Sequence, residues 1–318
     1  MKELTNIEKY TEIMIFGHSY QKEELLKDRK GIYVITQGRY PYNYFNFFFV
    51  HDMLSQILQV LYQGYIPMVD LSDRKEGDSN WSMWFEQPFA HEINYNHYEI
   101  IRASERVDSY WGPTYESPYA ELELGLACKL YRDWVIPNDT VMDYVAREYQ
   151  SIFAPFKGKG ILGCLCRGTD FTAKRPYGHP VQPTLEQLMA EVEEKLAEYS
   201  CEKIYLATEE ERITKQFEER FPGKILTNKR YYMDARYYEA SRQAAEAVAL
   251  ETVQFTEAQQ RYNQGLSYLS SIILLSSCDV LVAGNCGGSD AALYFNNNSY
   301  KYVNLFNLGM YGQEGEQK

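Results

Sequence analysis

From residue 158 onward the chain repeats one pattern: a short apolar run, a turn, then a longer stretch with helical spacing. The apolar runs are "ILGCLCR" (161–167), "KIYLAT" (203–208), "KIL" (224–226), "DVLVAG" (279–284) and "KYVNLF" (301–306). Between them lie "PTLEQLMAEVEEKLAEY" (183–199), opened by a Thr184–Gln187 capping box, and "EEERITKQFEERF" (209–221). Helical stretches over 237–255 and 264–277 follow, and "GGSDAALYFN" (287–296) opens another. Strands alternating with helices predict a parallel sheet wound on both faces.

The first half is more mixed. "GIYVITQG" (31–38) reads as a strand, residues 45–64 as an apolar helix closed by Gly64, and "YIPMVDL" (65–71) as the next strand. Two parallel strands require such a crossover. An aromatic loop, "SNWSMWFEQPF" (79–89), precedes a helix over 117–131 that starts with Ser117 and Pro118, and a further helix spans 138–153. "APFKGKG" (154–160) is the best boundary in the chain. The expected fold class is therefore α/β, with two Rossmann-like domains over residues 1–154 and 155–318.

Composition narrows the function classes. The 318 residues are 45% hydrophobic and 24% charged, which describes a folded globular chain. A net charge of −12 argues against nonspecific binding to nucleic acid or an anionic membrane. Neither a signal-peptide core nor a run of about 18 apolar residues is visible, so the expected setting is cytoplasmic, without a transmembrane segment. The six cysteines lack a secreted-domain spacing, and Cys164 and Cys166 fall on one face of a strand. Structural thiols are expected.

The chemistry gathers at the ends of three strands, where ligands of such sheets bind. The first strand empties into Arg167, Gly168, Thr169 and Asp170; the second ends in Thr208, Glu209 and Glu210. The third leads through Gly284, Asn285, Gly287 and Gly288 into a helix beginning near Ser289 and Asp290. Glycines let backbone approach a ligand, and the first N–H groups of a helix lack internal partners, so this turn suits a phosphate. A ligand-free tight turn is the plainer reading. Arg167 could hold the same anion in two-point contact, or simply pair with Asp170 or Glu209. The turn is neither a P-loop nor a G-x-G-x-x-G fingerprint. No Asp-x-Asp ends a strand and no histidine lies in a ligand spacing, so no metal is expected.

The ordered set of these pieces resembles the GT-B fucosyltransferases: the α1,6 enzymes and their α1,2- and protein O-fucosyltransferase relatives. Leu165-Cys166-Arg167-Gly168-Thr169-Asp170 corresponds to their H-x-R-R-x-D strand end, and His179-Pro180 to a His-Pro pair that follows it. "IYLATEEE" is similar to their "LATDD" strand end, and residues 265–294 resemble the helix, strand and Ser-rich turn that bind the donor. Weaker likeness runs from 31 to 89, through "GYIPMVDL" and "NWSMWFEQPF" of bacterial members. There are departures. Leu165 stands where the family has His, Gly168 where it has the second Arg, and Cys286, Gly287 and Gly288 where it has serines. Arg175 stands where the α1,6 enzymes carry an acid.

The resemblance implies a GT-B architecture, its two domains facing each other across a cleft. It implies an inverting, metal-independent transfer of fucose from GDP-fucose to a glycan, as in polysaccharide biosynthesis. Its partners would be a GDP-sugar, as substrate with no cofactor, and a glycan acceptor. Donor contacts would fall on Arg167, Thr169, His179, Thr208, Glu209, Glu210, Gly284, Asn285, Gly287, Gly288, Ser289 and Asp290. Arg167 would also stabilise the departing diphosphate. With Arg175 unable to accept a proton, the base falls to Asp170, to Glu209 or Glu210, or to Glu86, the choice favoured by position. Trp81, Trp84 and Glu86 would face the acceptor. The alternatives are a GT-B transferase or epimerase using another nucleotide sugar, and a sugar-nucleotide-binding protein without catalysis.

Overall fold

The computed structural model describes residues 5–39, 44–72, 79–109, 120–168, 172, 175–232 and 258–312. Ser117, Pro118, Thr169, Asp170 and the expected helix over 237–255 lie outside them. The chain divides into two compact units, Met1–Met142 and Asp143–Lys318.

In the first unit a three-stranded parallel sheet has the order β2-β1-β3, with β1 Ile32–Ile35, β2 Ile66–Val69 and β3 Ile100–Arg102. Helix α1 is Asn6–Ser19, α2 Phe47–Tyr62 and α3 Ala120–Trp134. The expected β1-α2-β2 crossover is present. Helix α2 is buried on nearly every side, so its apolar residues carry the core and its polar ones must be paired. Asp52 accepts two bonds from the Arg106 guanidinium, at 3.0 and 2.7 Å, and one from the Arg39 N–H at 2.6 Å. Gln56 donates to the Gln37 carbonyl and accepts from the Val107 N–H. These bonds tie the segments that follow β1 and β3 to α2.

The second unit carries the larger sheet. Its strands are β4 Gly160–Leu165, β5 Cys201–Ala207, β6 Ile225–Leu226, β7 Val280–Gly284 and β8 Tyr302–Phe306. All pairings are parallel, in the order β6-β5-β4-β7-β8. The helices are α5 Leu185–Glu198, α6 Glu211–Arg220, α7 Ala258–Leu275 and α8 Gly287–Phe295. The Thr184–Gln187 capping box opens α5 as expected. Leu162, Cys164 and Cys166 pack with Ile204, Leu206, Val280 and Val282 against Leu188, Val192 and Phe217. Each such aliphatic side chain contributes about 1.5–3 kcal/mol on burial. All six cysteines are buried and free, the structural role expected of them. Gly163 serves the opposite face of β4. A Cβ there would lie 2.6 Å from the Leu275 side chain, so the missing side chain lets the end of α7 seat on the strand.

Helix α4, Asp139–Ile152, starts in the first unit and runs on in the second. Its Glu148 accepts from the Lys229 N–H at 3.0 Å, and Phe153 just beyond it packs on Tyr205, with ring centroids 5.1 Å apart. The division between the two units falls at 142–143, within α4.

Candidate functional site

In the second unit the strand order reverses between β4 and β7. The chain moves outward from β4 to β5 and β6, then returns to the other side of β4 for β7 and β8. Connections that leave in opposite directions open a crevice beyond the carboxyl ends of those two strands. Leu165 pairs in register with Ala283, so Arg167 and the Gly284–Ser289 turn leave the sheet side by side.

Arg167 follows directly on β4, half-buried. One guanidinium nitrogen lies 3.4 Å from Glu209 Oε1, and the Gly168 N–H donates to the same oxygen at 3.0 Å. Glu209 therefore has a structural duty at the strand end. The ion pair anticipated for Arg167 exists. Glu210 is only 2% exposed and pairs with Arg212 at 3.1 Å; its N–H donates to Thr208 Oγ1 at 3.3 Å. A Cβ on residue 168 would lie 2.1 Å from Glu210 Oε1. Glycine at 168, where the resembling family has its second arginine, is thus a packing demand of Glu210.

The other wall is the turn from β7 into α8. Gly284 admits the Gln182 side chain, whose amide N–H donates to the Asn285 carbonyl at 2.8 Å. Among the described residues Gln182 Oε1 and Asn285 Oδ1 are buried without a hydrogen-bond partner. Cys286 caps the helix: its N–H donates to Ser289 Oγ at 2.9 Å, and that hydroxyl donates back to the Cys286 carbonyl at 2.8 Å. The Ser289 hydroxyl, expected to touch a donor, is sealed in this cap. The Cys286 side chain accepts from the Ser289 N–H, and among the described residues nothing accepts from the N–H groups of Gly287 and Gly288, the first two of α8. Burial pushes the Asp290 carboxyl in this first turn up to about 7. Tyr268 of α7 closes the floor, since a Cβ on Gly288 would lie 2.7 Å from its hydroxyl.

The remaining expectations fall elsewhere. His179 lies on an exposed loop clamped to residues 309–311 through Gly178, Val181 and Tyr311. Arg175 is exposed, at a φ of 47°. Trp81 and Trp84 do not face an acceptor. They are 0% and 1% exposed in the core of the first unit, packed on Phe49 and Phe45. Glu86 of that unit meets His91 Nε2 at 2.9 Å at the rim of a small pocket that Lys22, Glu92 and Trp134 complete. Sequence reading missed Gln182, Arg230 and Tyr268. Arg230 follows β6, so the strand-end rule that singled out the other three strand ends could have found it. Among the described residues no group of three His, Cys, Asp or Glu side chains could hold a metal ion, and no helix is long and apolar enough to cross a membrane.

No family model matches the chain, and no curated relative does. Solved structures do. The α1,6-fucosyltransferase NodZ soaked with GDP-fucose aligns with a TM-score of 0.52 and 12% identity, over 88% of this chain and 97% of that one. The chain shares its α/β fold, a GT-B architecture, with that structure. Selenomethionine NodZ from Bradyrhizobium aligns at 0.48 and 12% identity, over 88% and 96% of the two chains. POFUT1 in complex with GDP-fucose aligns at 0.38 and 9%, over 89% and 76%. In the GT-B fold of this chain, Arg167 and the first turn of α8 form the two walls of the switch-point crevice.

Proposed function

We propose that the chain is an inverting glycosyltransferase that moves fucose from GDP-fucose to a glycan hydroxyl. The carrying observation is Arg167 beside the unbonded N–H groups of Gly287 and Gly288 at the switch point, in a fold shared with a structure soaked with GDP-fucose. The second unit takes the donor and the first serves the acceptor; the setting is the cytoplasm, peripheral to the membrane where glycans are assembled.

The acceptor oxygen forms a bond to the anomeric carbon as the bond from that carbon to the diphosphate oxygen breaks. The electron pair leaves with GDP, so charge grows on the phosphate. A guanidinium and fixed N–H donors aimed there lower the barrier. The acceptor proton passes to a carboxylate. Glu86, held by His91, is the assigned acceptor of that proton. Glu209 and Glu210 are left to position the arginines, since each already has a cationic partner.

A panel of nucleotides and nucleotide sugars in a thermal-unfolding assay tests the reading. GDP and GDP-fucose at 100 times their Kd should stabilise by about 2.7 kcal/mol, with UDP and ADP ineffective. Transfer to glycan acceptors should follow, and Glu86→Gln should keep GDP affinity while losing transfer. Binding with no turnover on any acceptor selects a binding protein; stabilisation by another nucleotide sugar alone selects a different transferase or epimerase.

A further inference from the structure

A departing diphosphate carries more charge than one guanidinium neutralises, and Arg167 already shares its charge with Glu209. The second unit holds another arginine beside the same crevice. β6 ends at Leu226, and the segment after it is pinned by Asn228. The Tyr205 hydroxyl donates to Asn228 Oδ1 at 3.0 Å, and Asn228 Nδ2 donates to the Ser267 carbonyl of α7 at 3.1 Å. That anchoring lays Arg230 against α7. Its guanidinium donates to Ser271 Oγ and sits 5.6 Å above the centre of the Tyr268 ring.

Tyr268 is the link. One side of its ring carries Arg230, and its hydroxyl abuts Gly288 in the first turn of α8. Burial raises this phenol above its ordinary range while Arg167 and Arg230 both pull it down, so both guanidinia lie near it. Among the described residues no carboxylate forms an ion pair with Arg230. Glu148, the acid that faces this region from α4, accepts instead from the Lys229 N–H. A half-buried cation on one side of this ring and the unbonded Gly287 and Gly288 N–H groups at its hydroxyl end both favour an anion.

We propose that Arg230 is the second guanidinium of the donor-diphosphate cradle, doing from the end of β6 what Gly168 cannot do from the end of β4. The inference rests on the GDP-sugar reading above. Glu210 fills the space over residue 168, so a second cation has to enter from another strand. The anchoring through Asn228 brings one to Tyr268, the floor of the crevice.

Calorimetric titration of the full chain with GDP and with GMP decides the matter, using wild type, Arg230→Gln and Arg230→Lys. Gln keeps the aliphatic stem over Tyr268 and a donor for Ser271 but removes the charge. Arg230→Gln should weaken GDP about tenfold or more, the scale of a lost charged hydrogen bond. GMP should suffer less, and Arg230→Lys should fall between. Unchanged GDP affinity in Arg230→Gln overturns the inference, as does an equal loss for GDP and GMP accompanied by a lowered unfolding temperature. A wild type that binds no GDP removes the donor reading and this inference together.

Discussion

Arg167 has two partners to satisfy, a carboxylate of its own chain and the proposed ligand. Removing it takes a cationic partner from the buried Glu209, which keeps the Gly168 N–H among its donors. Breaking a buried ion pair on one side weakens the fold, so Arg167→Ala should lower the unfolding temperature as well as disable the chain. Arg167→Lys is the cleaner probe, because it keeps a positive charge for Glu209 and loses the planar fork. The expected result is a fall in kcat of about 10²–10³ with an unfolding temperature near that of wild type. Full activity in Arg167→Lys would reduce Arg167 to the ion pair it makes. This residue was legible in the sequence because an apolar strand that ends in a guanidinium has nowhere to bury it. Trp81 and Trp84 were misread for the opposite reason: an aromatic loop has the same letters whether its rings face solvent or core. Arg230 was passed over because it stands four residues beyond a strand only two residues long, Ile225–Leu226, although the same strand-end rule reaches it.

At the scale of elements, the apolar runs from 158 onward returned as β4 to β8. Strands β4, β5 and β7 are mostly buried, and a strand covered on both faces admits few polar residues, while the edge strands β6 and β8 are half-buried. Helix α1 and strand β3 escaped. All three residues of β3 are exposed and thus lack an apolar face to read, and α1 buries only Ile13, Met14 and Gly17. Helix α8 was visible from its glycines, yet its electrostatics depend on Asp290. Burial raises this carboxyl from 3.8 to about 7, so the folded chain retains a proton there that the unfolded chain releases near pH 4. Stability contributed at this position therefore declines as pH rises from about 4 to 7. Above that range a carboxylate stands in the turn that offers its N–H groups to an anion. The Kd for GDP, taken as the ratio of wild type to Asp290→Asn, should rise several-fold between pH 6 and pH 8. Taking the ratio cancels the titration of the nucleotide itself. A constant ratio across that interval would show that Asp290 does not titrate beside the ligand.

For the whole molecule, the net charge of −12 is opposed locally at the crevice. An acidic chain that binds a diphosphate must neutralise it either with a divalent cation held by carboxylates or with its own cations and helix dipoles. The arrangement of the second unit favours the latter. Glu209 is tied to Arg167 and the Gly168 N–H, and Glu210 to Arg212, so the acids at the end of β5 are already committed. A metal would have to displace those partners, and doing so would expose the same guanidinia that serve the phosphates. Arg167, Arg230 and the first turn of α8 bring positive charge to the crevice without it. Transfer activity should therefore stay within about twofold of its untreated value in excess EDTA, a change far below the tenfold that 1.4 kcal/mol of lost stabilisation would produce. The assay should follow GDP release and acceptor glycosylation together, so that donor hydrolysis is not counted as transfer. Activity that collapses in EDTA and returns with Mn²⁺ or Mg²⁺ would mean that the leaving group is held by a metal, and that the carboxylates at β5 exchange their arginines for it when the donor binds.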